Sequence, residues 1–117
     1  MIEVSDLALQ LSPVDFGIAK DGGLRTAERQ HELYLAGASR CDGYILKSKH
    51  QSGEALDFYA FVDGQASWQV PHLAIVGAAF LQASIVTGHK LRWGGFFTPL
   101  HDEPFPHGWD CGHIELI

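Results

Sequence analysis

The chain has 117 residues, of which 46% are hydrophobic and 19% charged, and it carries a formal charge of −6. That length predicts a single domain over residues 1–117 with one buried core, and the composition excludes a disordered tract or a repeat array. The acidic balance excludes a nucleic-acid face, which needs clustered lysine and arginine, and disfavours adhesion to anionic wall polymers or lipid.

Taken in chain order, the N-terminal stretch MIEVSDLALQLSPVDFG has acids where a signal peptide has a basic region, and its apolar residues are interrupted early. No signal peptide is expected, so the protein should stay in the cytoplasm until something else releases it. Val14 to Ala19 reads as a strand. Thr26 then offers a hydroxyl cap for a helix over Ala27 to Ala36, closed by Gly37, with Leu33 and Tyr34 apolar and Glu28, Arg29 and Glu32 toward water. The segment ALDFYAFV predicts a strand over Ala55 to Val62 that ends in the turn Asp63-Gly64. Pro71 suits a helix start, and the apolar run that follows predicts a core helix to Thr87, stopped by Gly88. Gln82 and Ser84 interrupt that run, which is a little short for a bilayer, so no membrane insertion is expected. A last strand is predicted over Gly112 to Ile117. Together these elements predict an α+β fold, a small antiparallel sheet with helices packed on one side. Cys41 and Cys111 are expected as free thiols, small and mostly buried.

His50 and Asp57 stand seven positions apart, which would put them on one face of a helix but on opposite faces of an uninterrupted strand. Gly53 disfavours a helix between them. His50 is therefore expected on a loop, with Gly53 bending the chain so that His50 converges with Asp57, a strand residue. With His113 near the C-terminus they make two imidazoles and a carboxylate, the donor set of a catalytic zinc site that keeps a fourth position open. A carboxylate in an apolar strand is costly to bury without a compensating cation. Asp110, three residues before His113, is then placed to act as general base. On the final strand, His113 and Glu115 should face the metal while Ile114 and Leu116 face the core.

These residues also carry a resemblance. Ser48, His50, Gly53, Ala55 and Asp57 meet every fixed position of Ser-x-His-x-x-Gly-x-Ala-x-Asp, and Asp110, His113 and Glu115 meet Asp-x-x-His-x-Glu, the paired signature of VanY-type zinc peptidases. Upstream, Gly23 to Gly37 is similar to that family's Gly-Tyr-Arg-Ser helix entry, and Arg92-Trp93-Gly94-Gly95 to its Trp-Gly-Gly turn. The likeness spans Val14 to Leu116, with one departure: Phe96-Phe97 stands where the family usually has an acidic residue. It implies the hedgehog/DD-peptidase fold, zinc held by His50, Asp57 and His113, and catalysis by Asp110. It further implies Arg25 at the substrate or oxyanion, Ser48 binding substrate backbone or orienting its loop, Gln30 as a substrate contact, and Glu115 orienting a ligand imidazole.

The substrate implied is a peptidoglycan stem peptide, met by a monomer. The expected reaction is L-alanyl-D-glutamate endopeptidase cleavage of the phage lysis type. A D-Ala-D-Ala carboxypeptidase, which would use Arg25, Arg40, Lys47 or Lys49 on a terminal carboxylate, stays open, as does a non-catalytic zinc-containing binding or virion module. His31, His72, His89, His101 and His107 are expected at the surface, the last two in the loop that leads into the site.

Overall fold

The computed structural model describes residues 1–20, 22–96 and 110–117. Helix α1 (Ile2–Leu11) leads into strand β1 (Asp15–Ile18), and helix α2 (Ala27–Leu35) follows. A 3-10 turn (Lys49–Ser52) precedes strand β2 (Ala55–Val62), which turns into the short β3 (Gln65–Ser67). Helix α3 (Val70–Thr87), strand β4 (Leu91–Trp93), a 3-10 turn (Gly94–Phe96) and strand β5 (His113–Leu116) complete the described chain.

The sheet runs β1-β2-β5-β4, with β3 also on β2, and every pairing is antiparallel. β2 is the strand on which the rest is built. Its first half pairs with β5, Asp57 opposite His113, and its second half with β1 and β3. Alternation along β2 sends Phe58 and Ala60 into the core and leaves Asp57 and Tyr59 on the other face. Phe58 stacks on Phe80 of α3 at 5.3 Å, and Phe16 of β1 closes the cluster at 5.1 Å from Phe80. Each fully buried ring of this kind contributes roughly 1.5–3 kcal/mol relative to exposure. α1 lies along α3, burying Val4 and Ala8. The expected antiparallel α+β architecture is thus what the chain adopts.

Several elements differ from expectation. α1 is unforeseen, because it opens at Met1 with no side-chain cap and its buried stripe is only Val4 and Ala8. β3 and β4 have three residues each, too few for a periodic signal. α2 forms as its Thr26 cap predicts, the hydroxyl accepting from Arg29 N at 3.0 Å, yet it does not bury an apolar side. Tyr34 and Leu35 are exposed and the buried residue is Gln30, because α2 packs on a polar loop that offers hydrogen-bond partners. α3 is long and apolar enough to cross a membrane by length and composition. Here its buried face, Leu73, Val76, Phe80 and Ala83, packs on α1 and the sheet.

Candidate metal and catalytic site

His50 sits on the 3-10 turn between Lys49 and Ser52, and three local devices fix that turn. Ser48 caps it, its Oγ accepting from His50 N at 3.2 Å, while the Gln51 side chain accepts from Ser48 N at 2.9 Å. Gly53 ends it at φ 72°, a left-handed conformation that glycine adopts without steric cost. The segment before α2 then clasps the ring: Arg25 N donates to His50 O at 3.0 Å, and His50 Nδ1 lies 3.1 Å from Gly23 O. With Nδ1 turned to that carbonyl, Nε2 is the nitrogen that faces the site, 3.4 Å from Asp57 Oδ2.

Asp57 projects from β2, and its backbone is locked by Asp57 N to Gly22 O at 2.7 Å and Ala19 N to Asp57 O at 2.9 Å. His113, directly opposite on β5, brings Nδ1 to 2.9 Å from Asp57 Oδ1. Its other nitrogen, Nε2, lies 2.9 Å from Glu115 Oε1. Glu115 is in turn held by Arg92 of β4 at 2.8 Å and by Lys49 at 3.1 Å. Donor atoms of His50, Asp57 and His113 all fall within 4.8 Å of one another. A tetrahedral zinc with bonds of about 2.1 Å needs donors about 3.4 Å apart, so the three residues fit the ion with small adjustment.

The electrostatics follow from this packing. Burial would raise the Asp57 carboxyl, but its bonds to His113 and His50 outweigh that and hold it well below the usual carboxylate range. Burial likewise opposes charge on His113, yet the carboxylates of Asp57 and Glu115, with Asp110 beyond, raise it above an ordinary imidazole. Against burial, Arg92, His113 and Lys49 pull Glu115 down to about 2. Asp110 goes the other way. Burial raises it, and the charge of Asp57 adds to the shift.

Asp110 is positioned by the Trp-Gly-Gly segment. Trp93 Nε1 donates to Cys111 O at 2.7 Å in the interior, and His113 N donates to Asp110 O at 3.1 Å. A Cβ on Gly94 would lie 2.0 Å from Asp110 O, so only glycine lets the turn after β4 approach that backbone. The Trp93 indole in turn fits against Gly77 of α3, where a Cβ would come within 2.7 Å of it.

The structure brings His50, Asp57, His113, Asp110, Arg25 and Glu115 to one place. Arg25 reaches Asp57 Oδ2 with NH2 at 3.4 Å and gives NH1 to Gln30 Oε1 at 2.9 Å. The expectation of Gln30 as a substrate contact is corrected: the amide is fully buried, with Nε2 donating to Ser39 Oγ and Cys41 O, and it anchors Arg25 to the loop behind α2. Ser48 Oγ accepts from His50 N and so orients the turn that carries His50. Cys41 and Cys111 are free, Cys111 buried, and neither joins the metal group among the described residues. His31, His72 and His89 bond to Asp42 O, Ser67 and Glu3, away from the site, while His101 and His107 lie outside the described residues. Unanticipated are the Lys49 and Arg92 clamp on Glu115, and Trp68, which lines a hollow with Asp57 and Asp110.

The whole chain, residues 1–117, matches the family described as phage L-alanyl-D-glutamate peptidase. The chain belongs to that family. A curated relative, the L-alanyl-D-glutamate peptidase of Escherichia phage T5, is 35% identical over 98% of this chain and 85% of its own length. Among solved structures, the L-Ala D-Glu endopeptidase ChiX of Serratia marcescens superposes with a TM-score of 0.81 at 32% identity, covering 99% of this chain and 77% of that one. These likenesses run through every segment that builds the site of this phage peptidase family member, from the clasp before α2 to β5.

Proposed function

We propose that the protein is a zinc-dependent peptidoglycan endopeptidase that cuts the L-Ala–D-Glu bond of the stem peptide. One observation carries the reading: two imidazole nitrogens and a carboxylate converge near a half-buried second carboxylate, Asp110, in a chain of the L-alanyl-D-glutamate peptidase family. Bound by His50 Nε2, Asp57 and His113 Nδ1, zinc would supply a Lewis acid for the scissile carbonyl and ease deprotonation of water. Asp110, whose carboxyl burial raises above its ordinary value, accepts the proton of the attacking water and passes it to the departing amine. Arg25 holds its charge beside Asp57, where it steadies that carboxylate and lies within the field of the developing oxyanion. Glu115 fixes the His113 ring by accepting from Nε2.

An endopeptidase must admit chain on both sides of the cut. Among the described residues Asp110 borders two hollows, which favours this reading over a carboxypeptidase with a closed end for a terminal carboxylate. The test is digestion of purified sacculi with mass analysis of the fragments. Products with a new N-terminal D-glutamate are expected, and release of D-alanine alone with the L-Ala–D-Glu bond intact would overturn the assignment.

A further inference from the structure

The two hollows that meet at Asp110 have different chemistry. The first, about 370 Å³, is walled by Ala19, Trp68, Val70 and Leu73 and opens onto Asp57. Its main feature is the Trp68 indole, 58% exposed and propped at 5.8 Å against Tyr59, which shares the strand face of Asp57. An aromatic ring held open in a cleft is a ready apolar surface for a ligand. The second hollow, about 520 Å³, is bordered by residues 37–40. Most polar groups there are already committed: the Gly37 and Ala38 amides bond back into α2, and Ser39 Oγ accepts from Gln30 and Cys41 N. Arg40 is exposed and forms no ion pair among the described residues.

The bond assigned above is chemically lopsided in the same way. On its acyl side stands alanine, small and uncharged. On its amine side stands a glutamate that, linked onward through one carboxyl, keeps the other free. We propose that Arg40 forms the subsite for that free carboxylate, on the leaving-amine side of the cut, and that Trp68 walls the acyl side, so substrate lies across Asp110 in one direction. This rests on the endopeptidase reading and adds to it a substrate polarity and a specificity-determining cation. Guanidinium suits the task because it stays charged and meets a carboxylate with two parallel donors.

The experiment compares two stem-peptide substrates, one with the D-glutamate carboxylate free and one with it amidated, on the zinc-loaded wild type and on Arg40→Ala, Arg40→Lys and Trp68→Ala. Losing a charge-assisted hydrogen bond at a partly exposed site changes binding about tenfold, so the wild type should show a KM about tenfold lower for the acid than for the amide. Arg40→Ala should erase that ratio, Arg40→Lys should keep part of it, and Trp68→Ala should raise KM for both substrates alike while the ratio persists. Equal KM values for acid and amide in the wild type, or an unchanged ratio in Arg40→Ala, would overturn the subsite while leaving the endopeptidase intact. A wild type that cuts neither substrate at L-Ala–D-Glu would overturn the activity itself, and the subsite with it.

Discussion

His50 and His113 each present one imidazole nitrogen to Asp57, but they are held there by different means. His50 rests on backbone: a capped turn beneath it, the Gly23 carbonyl on Nδ1, and the Arg25 amide on its own carbonyl. His113 rests on charge, its Nε2 against Glu115, which two cations hold in turn. Backbone support survives changes of side chain and of pH. Ionic support does not, so the two halves of the site should fail under different perturbations.

The largest expected effect tests what they share. Asp57→Ala removes the carboxylate between both rings and should abolish zinc binding, read by elemental analysis after dialysis against the metal. Asp110→Ala should keep zinc and lower turnover on sacculi about 10²-fold or more, the usual worth of a general base. Full activity in that variant would move the proton-transfer role to another group, Glu115 first.

The comparison sharpens with Glu115→Gln. The amide cannot hold the imidazole as the carboxylate does, and zinc affinity should fall about 10- to 100-fold by competition with a chelator. Lys49→Ala and Arg92→Ala should each produce a smaller loss in the same direction. Ser48→Ala, on the His50 side, should cost about 1 kcal/mol of stability through the lost cap, with metal affinity nearly kept because the Gly23 carbonyl still orients the ring.

Acid and base should separate the halves as well. In the metal-free protein, Glu115 contributes stability that is present above its ordinary value of 4.5 and lost as the pH falls toward about 2. Asp57, also lowered, acts in the same sense. His113 is raised, so its contribution is full below its ordinary 6.5 and lost as the pH climbs through its higher folded value. Thermal unfolding of the metal-free protein should therefore show stability declining on both flanks. Zinc must displace the His113 proton, so affinity should rise with pH across the neutral range, less steeply in Glu115→Gln.

Most of this site could be read from the chain because its ligands sit in short motifs whose spacing and glycine content are local properties. The loop before β2, the bend at Gly53 and the alternation of β5 all follow from such local rules. What the sequence hides is what depends on packing between distant elements. Lys49, Arg92 and Glu115 come from a turn and two strands, and nothing local says that they meet. Gln30 reads as a substrate contact until the loop at Ser39 and Cys41 folds over it. α1 escapes because it lacks a capping residue and buries only Val4 and Ala8 against a helix nearly seventy residues away. Gly77 and Gly94 gain meaning only when Trp93 and Asp110 are seen against them, and Gly77→Ala should cost roughly 1–3 kcal/mol by overpacking the indole.

The central claim is that His50, Asp57 and His113 form one metal centre, and metal content under equilibrium with added zinc tests it most directly. Elemental analysis of the purified protein should find about one zinc per chain. The His50→Ala and His113→Ala variants should each lose it. Wild-type protein that stays below about a tenth of stoichiometry with zinc supplied would contradict the assignment of the site.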